Sequence, residues 1–270
     1  MKKISALLLA LGFSILGFTQ DSTTANAPAS DTAIAGSPSV SENTKEAKKA
    51  ARKNKWSNLN LANRSKDHLM LQFGMIGFAS APDTIHTKGF SRGFNAYFMF
   101  DFPFKSNPQY SVAIGAGVSS SNIYFDKTYI DIAGKNGGKI SFKDVSDTTH
   151  FKKYKLMNTY LEAPVELRFT ADPSRPNQSW KGAIGIKVGT MVGAVTKGKT
   201  FQNSAGQTIN AYSQKEKSKR FFNGTRLSLT ARAGLGIVSI FGSYQINPFI
   251  KEGFGPDIRP FSAGIAISGL

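Results

Sequence analysis

Tyr160-Leu161-Glu162-Ala163-Pro164-Val165-Glu166-Leu167-Arg168-Phe169 decides how this 270-residue chain folds. Taken with a period of two, one face carries Leu161, Ala163, Val165, Leu167 and Phe169, and the other carries Tyr160, Glu162, Pro164, Glu166 and Arg168. This is a strand with one apolar and one charged face. In a soluble sandwich the charged face meets water and the apolar face a dry core. In a transmembrane barrel the apolar face meets lipid and the charged face fills the lumen.

Outward from this stretch, alternation of the same kind recurs over residues 68–78, 92–102, 110–123, 180–192, 226–233, 237–246 and 259–268. In 92–102, Phe94, Ala96, Phe98, Phe100 and Phe102 oppose Asn95, Tyr97, Met99 and Asp101; in 226–233, Leu227, Leu229, Ala231 and Ala233 oppose Arg226, Ser228, Thr230 and Arg232. With 160–169 these make eight strands, an even number, each about the 9–11 residues needed to cross hydrocarbon at a tilt. The connections alternate in length: 79–91, 124–157, 193–225 and 247–258 are long, whereas 103–109, 171–179 and 234–236 are short. A barrel with both termini in the periplasm and its long loops outside requires that alternation; a soluble sandwich does not. The pattern predicts an all-β protein, an eight-stranded antiparallel up-and-down transmembrane β-barrel.

The motif Tyr160-Leu161-Glu162-x-Pro164, together with glycine-rich alternating strands and the aromatic stretch FNAYFMFDFPF at 94–104, resembles the PorT-type outer-membrane β-barrel family. The resemblance covers residues 67–270. It implies an outer-membrane barrel and, in some relatives, a role in protein secretion and gliding machinery. Pro164 has no N–H for the ladder, which predicts a bulge beside Glu162.

Composition fits this architecture. Only 40% of residues are hydrophobic and the mean hydropathy is negative, at −0.22, which argues against a helical membrane protein but suits a sheet that is apolar on one face. With no cysteine there is no disulfide, thiolate metal site or lipoprotein anchor. The net charge of +17 is spread over tail, turns and loops rather than along one helix or groove, so nucleic acid is not the expected partner. Outer-membrane lipid and lipopolysaccharide are. At the N-terminus, Lys2 and Lys3 precede an apolar run over 6–18 that is too short to span a bilayer, with small Gly17 and Thr19 placed for cleavage. The expected division is therefore a signal peptide over 1–20, a disordered periplasmic linker over 21–66 that includes the basic stretch KEAKKAARKNK at 45–55, and a monomeric barrel over 67–270.

On the lumen face the alternation places Asp101, Glu162, Glu166, Arg168, Lys187, Arg226 and Arg232, with Arg259 as a further member. Eight strands enclose an interior that side chains fill, so charges confined there must pair. A structural charge network is expected rather than an active site, because Glu162 and Glu166 lie roughly 13 Å apart on an extended strand, too far to share acid–base work on one bond. Gly193-Ala194-Val195-Thr196-Lys197-Gly198-Lys199-Thr200 matches the phosphate-loop pattern letter for letter, yet no helical period follows to aim amides at a phosphate. His68, His86 and His150 have no metal-ligand spacing. No catalytic residue, cofactor or metal is assigned. The loops are rich in basic residues, with Lys127, Lys135, Lys139, Lys143, Lys152, Lys153 and Lys155 in the second and Lys197, Lys199, Lys215, Lys217, Lys219 and Arg220 in the third. Such a rim suits lipopolysaccharide phosphates or a surface partner.

The expected function is that of a non-enzymatic outer-membrane barrel, a structural or binding component that acts through its outer loops or periplasmic tail on a surface or periplasmic protein. Membership of a secretion machinery is what the resemblance implies. Two alternatives stand beside it: an outer-membrane lipid-modifying enzyme using His86 and Ser91, and a secreted soluble β-barrel that binds small ligands.

Overall fold

The computed structural model describes residues 68–83, 85–88, 91–135 and 137–269; the expected signal peptide and linker lie outside the described residues. Eleven strands occur among them: β1 (Leu69–Ala79), β2 (Arg92–Phe104), β3 (Asn107–Phe125), β4 (Thr128–Asp131), β5 (Ser141–Asp144), β6 (His150–Thr170), β7 (Trp180–Gln202), β8 (Thr208–Lys217), β9 (Thr225–Leu235), β10 (Val238–Gln245) and β11 (Arg259–Ser268). Eight of these, β1, β2, β3, β6, β7, β9, β10 and β11, pair antiparallel in that order, and β11 returns to β1 from Met70↔Ser268 to Ala79↔Arg259. The sheet is thus a closed eight-stranded ring with no free edge at membrane depth.

Side-chain placement follows the pleat. Outward-facing Leu161, Ile184 and Ile240 are 51%, 63% and 70% exposed, and no second layer formed by the described residues covers them. Their inward neighbours Glu162 and Glu166 are 2% and 1% exposed. An apolar exterior this extensive is tolerable only against another apolar medium. On β7 it runs from Trp180 to Val192, about 40 Å along the strand and about 30 Å along the axis of a barrel tilted by ~40°, the depth of a hydrocarbon core.

Short connections gather at one end. Lys105 and Ser106 join β2 to β3, Gly236 and Ile237 join β9 to β10, and a stretch containing a 3-10 turn at Pro176–Gln178 joins β6 to β7. Gly236 sits at φ 61°, in the left-handed region where a two-residue turn needs glycine. The described chain also enters and leaves here, since Met70 pairs with Ser268. The four long connections lie at the other end, so the alternation read from the sequence is the arrangement found.

That loop end departs from expectation in two ways. Strands β3, β6 and β7 run to 19, 21 and 23 residues, past the apolar belt. The regions 124–157 and 193–225, expected as loops, contain the β4–β5 hairpin and β8, which pairs only with the distal half of β7. Strand β8 is exposed at nine of its ten positions, so it buries no face that would give it a hydrophobic period. The second departure is a cap. Ile85, then Ile130, Ile132 and Ile140, then Phe221 and Phe222, then Phe249, Ile250 and Ile258 descend from four loops onto Ile123, Phe125, Leu156 and Ala194 of the wall, forming one buried apolar cluster. The cap is tied by main-chain bonds between loops, including Lys251 N–H to Phe221 O at 2.9 Å and Ile140 N–H to Phe254 O at 3.0 Å.

The bulge expected beside Glu162 takes a different form. Across Pro164 the β3–β6 register is unchanged, with only the pairs at Ala163 and Pro164 missing. The register shift lies on the β7 side, between Thr159 and Tyr160, where Val192 is the extra residue.

Candidate functional site

The lumen charges are positioned by rows of residues that face one another around the ring. One row reads Tyr97 on β2, Gly117 on β3, Glu162 on β6, Gly189 on β7 and Arg226 on β9. The two glycines flank Glu162 and make room for it. A Cβ on Gly117 would stand 2.6 Å from the Tyr97 ring, and one on Gly189 would stand 2.7 Å from Glu162 Cγ. Across these gaps Tyr97 Oη donates to Glu162 Oε2 at 2.5 Å, and Arg226 Nη1 donates to Glu162 Oε1 at 3.2 Å. The Arg226 guanidinium also lies over the Tyr160 ring, 5.0 Å from its centroid.

A second group lies nearer the short-turn end. Glu166 Oε2 accepts from Arg168 Nε at 3.0 Å and from Arg232 Nη2 at 3.1 Å, with Gly185 opposite it on β7. Arg168 Nη1 stands 3.8 Å from Asp101 Oδ1, and Arg232 Nη1 donates to Ser268 Oγ at 3.2 Å. Between the groups, Lys187 places its ammonium 5.7 Å from the Tyr97 ring centroid. A neutral chain continues sideways: Arg226 Nη1 to Ser119 Oγ at 3.4 Å, Ser119 to Asn95 at 2.7 Å, and Asn95 to Gln72 at 3.0 Å.

All seven expected lumen residues therefore face inward, on β2, β6, β7 and β9. Strands β1 and β10 contain no charged residue, and the one on β11 is Arg259 at its start. Arg259 is a correction to the expected set. It shares the outer face with Phe261 and pairs with Asp257 at 3.2 Å on the loop-end rim, because strand parity rather than charge decides which side a residue takes. Of the motif residues, Tyr160, Glu162 and Pro164 face inward while Leu161 faces out. The aromatic and glycine partners of Glu162 were not anticipated; the inward parity of Tyr97 was the available signal.

The arrangement offers little chemistry. Glu162 and Glu166 are each held by their own donors, and among the described residues no hydrogen bond joins them to a common group. The Gly193–Thr200 stretch is extended strand within β7, so no helix N-terminus faces a phosphate there. Ser91 Oγ donates to Lys88 O at 3.2 Å and accepts from Tyr124 N–H at 3.0 Å, while His86 Nε2 is 3.9 Å from Asp144; the two are not joined into a nucleophile–base pair. His68 is 3.1 Å from Met99 O and stacks on Phe98.

Above the cap side of the wall, a cleft of about 480 Å³ lies between the β4–β5 hairpin and β6–β8, lined by Tyr129, Phe151, Phe201, Tyr212, Lys127 and Lys143 among others. Nearby, Lys135 pairs with Glu216 at 2.6 Å, and that hydrogen bond holds the Lys135 ammonium above its ordinary pKa.

The sequence profile described as outer membrane protein beta-barrel domain matches residues 57–251. The chain belongs to this family. No curated protein matches it. Among solved structures it is similar to Ail, the attachment invasion locus protein of Yersinia pestis, at 12% identity over 74% of this chain and 94% of that one, with a TM-score of 0.31. Ail in complex with the heparin analogue sucrose octasulfate matches at the same identity and coverage, with a TM-score of 0.30. The translocator domain of the autotransporter NalP from Neisseria meningitidis matches at 10% identity over 84% and 97% of the two chains, with a TM-score of 0.18. The fold rests on the closed ring of pairings, and the location on the family: this is an outer-membrane barrel.

Proposed function

We propose that the protein is a closed, non-conducting, non-enzymatic barrel that anchors a recognition surface in the outer membrane. The observation that carries this reading is the filling of the lumen from end to end. Among the described residues, paired charges occupy the part nearer the short turns and an apolar cap occupies the mouth, which supports a lumen without a continuous aqueous path and without groups set on a substrate bond. What remains available to a partner is the loop end, with its aromatic and basic cleft. In this reading both termini are periplasmic, the barrel is a monomer, and the loops face the cell surface, where a protein or glycan partner binds. The Tyr160-Leu161-Glu162-x-Pro164 motif supports a PorT-type relationship and, with it, a place in a secretion-type assembly.

Recording from planar bilayers tests the central claim. The refolded protein is expected to give no stepwise ionic conductance over hours, and reproducible open levels in the wild type would overturn it. Protease treatment of intact cells tests orientation, with cleavage expected in the β7–β9 connection.

A further inference from the structure

We propose that six lysines on the outer wall of the β6–β7–β8 sheet form a binding site for the phosphate groups of lipids around the loop end of the barrel. The register sets them in rows. Lys155 on β6 faces Lys197 on β7, which faces Lys215 on β8; Lys153 faces Lys199; and Lys217 lies opposite Val195. Residues directly opposed on antiparallel strands hold their Cβ atoms about 5 Å apart, and like charges so placed repel. Three ammonium groups in one such row call for an anion.

The described residues do not supply it. Among the described residues no carboxylate lies within 4.0 Å of any of the six, whereas Lys88 has Asp126 at 3.0 Å and Lys135 has Glu216 at 2.6 Å. Glu216, between Lys215 and Lys217, points to the opposite face of β8 to reach Lys135. The one polar side-chain partner in the group is neutral: Lys155 Nζ donates to Asn122 Oδ1 at 2.8 Å and lies 5.6 Å from the Tyr124 ring centroid.

Position selects lipid over a soluble anion. Lys153 and Lys155 alternate with inward Tyr154 and Leu156, and Lys197 and Lys199 with inward Thr196 and Gly198, so the lysines stand on the face that continues the lipid-exposed wall. The outward pair next toward the short-turn end is Met157 with Val195, and beyond it come Leu161 and Val192. The first lysine row is two residues, about 7 Å along the strand, past that apolar pair. It therefore looks sideways at headgroup depth, where anionic lipid attracts basic side chains. The site rests on the preceding reading only for which leaflet it meets.

The test uses full-length protein refolded in maltoside micelles, titrated with diphosphorylated lipid A, with the same lipid stripped of phosphate, and with inorganic phosphate, and bound lipid is counted by native mass spectrometry. Wild type is expected to prefer the diphosphorylated lipid, and K155Q/K197Q/K215Q to weaken it by at least about tenfold. The matched variant K88Q/K105Q/K251Q, with the same loss of charge, is expected to stay within about twofold of wild type. Heat-shifted mobility on gels confirms folding. If the first variant does not fold, K153Q/K199Q replaces it. Equal weakening by both triple variants, or no weakening by the first, overturns the site; so does inorganic phosphate competing as well as the lipid. These affinities are read in micelles, so they stand apart from conductance and from cell-surface protease cleavage, which judge the reading of a closed barrel with outward loops.

Discussion

The two halves of this lumen are filled by opposite means. Toward the short turns, carboxylates on β6 meet guanidinium groups of β6 and β9 at 3.0 to 3.2 Å, those of β9 across glycines on β7, with Asp101 of β2 standing 3.8 Å from Arg168. Toward the mouth, isoleucine and phenylalanine side chains from four loops pack onto the wall. Charged contacts need donors and acceptors fixed within a few tenths of an ångström, which a hydrogen-bonded ladder provides and a loop does not. Apolar burial needs only area and volume, and loops can supply both. The polar tier is therefore written on the strands and the apolar tier hangs from the connections.

The largest expected effect comes from the charged tier. Glu166→Ala leaves the Arg168 and Arg232 guanidinium groups facing each other without their shared carboxylate, and should cost on the order of 3–5 kcal/mol in urea unfolding of the lipid-reconstituted barrel. Joint replacement Glu166→Met with Arg232→Met should recover only part of the loss, since Arg232 is no longer stranded while Arg168 still lacks its 3.0 Å carboxylate and keeps Asp101 at 3.8 Å. In the apolar tier, Leu156→Ala should cost about 2–4 kcal/mol, and it should raise protease cutting of the loop end while leaving the charged tier intact. A stability loss equal in both tiers with no difference in cutting would break the contrast. Next comes Gly117→Val, whose added methyls enter the space of the Tyr97 ring; about 1–3 kcal/mol is expected, with loss of the Tyr97–Glu162 bond read from tyrosine ultraviolet absorption.

The smallest effect is alkaline. Because Glu216 raises the Lys135 pKa in the folded protein, the contribution of that pair is complete below the ordinary lysine range and is lost as pH rises through the raised value. Protease cutting of β8 should increase above that range in the wild type and be insensitive to it in Lys135→Ala.

The strands that cross the membrane were legible because each has one face in lipid and one in the lumen, so the period of two survives; 259–268 matches β11 residue for residue. What escaped has physical causes. Strand β8 is wet on both faces and has no such period. The cap residues Ile130, Ile132, Phe221 and Phe222 sit in polar surroundings at irregular spacing, and only the fold brings them together. Tyr97, Gly117 and Glu162 are far apart in sequence, and which residues share a row depends on strand register, which one strand alone does not specify. The same is true of the lysine rows, visible beforehand only as a basic rim. Arg259 was misplaced by giving its charge more weight than its parity.

The confinement of charge to β2, β6, β7 and β9 bears on how such a protein enters a bilayer. Those strands, with β3 between them, form an uninterrupted sheet, so every carboxylate there can find its guanidinium while the barrel is still an open trough. The seam, where the first and last of these strands zip together, then brings only uncharged side chains to the lumen, among them Met70, Gln72, Ile76, Phe78, Ser262 and Ser268, with Arg259 left on the outer rim. Its closure drags no ion through oil, and the slow act of sealing is left to the part of the wall that is electrically silent.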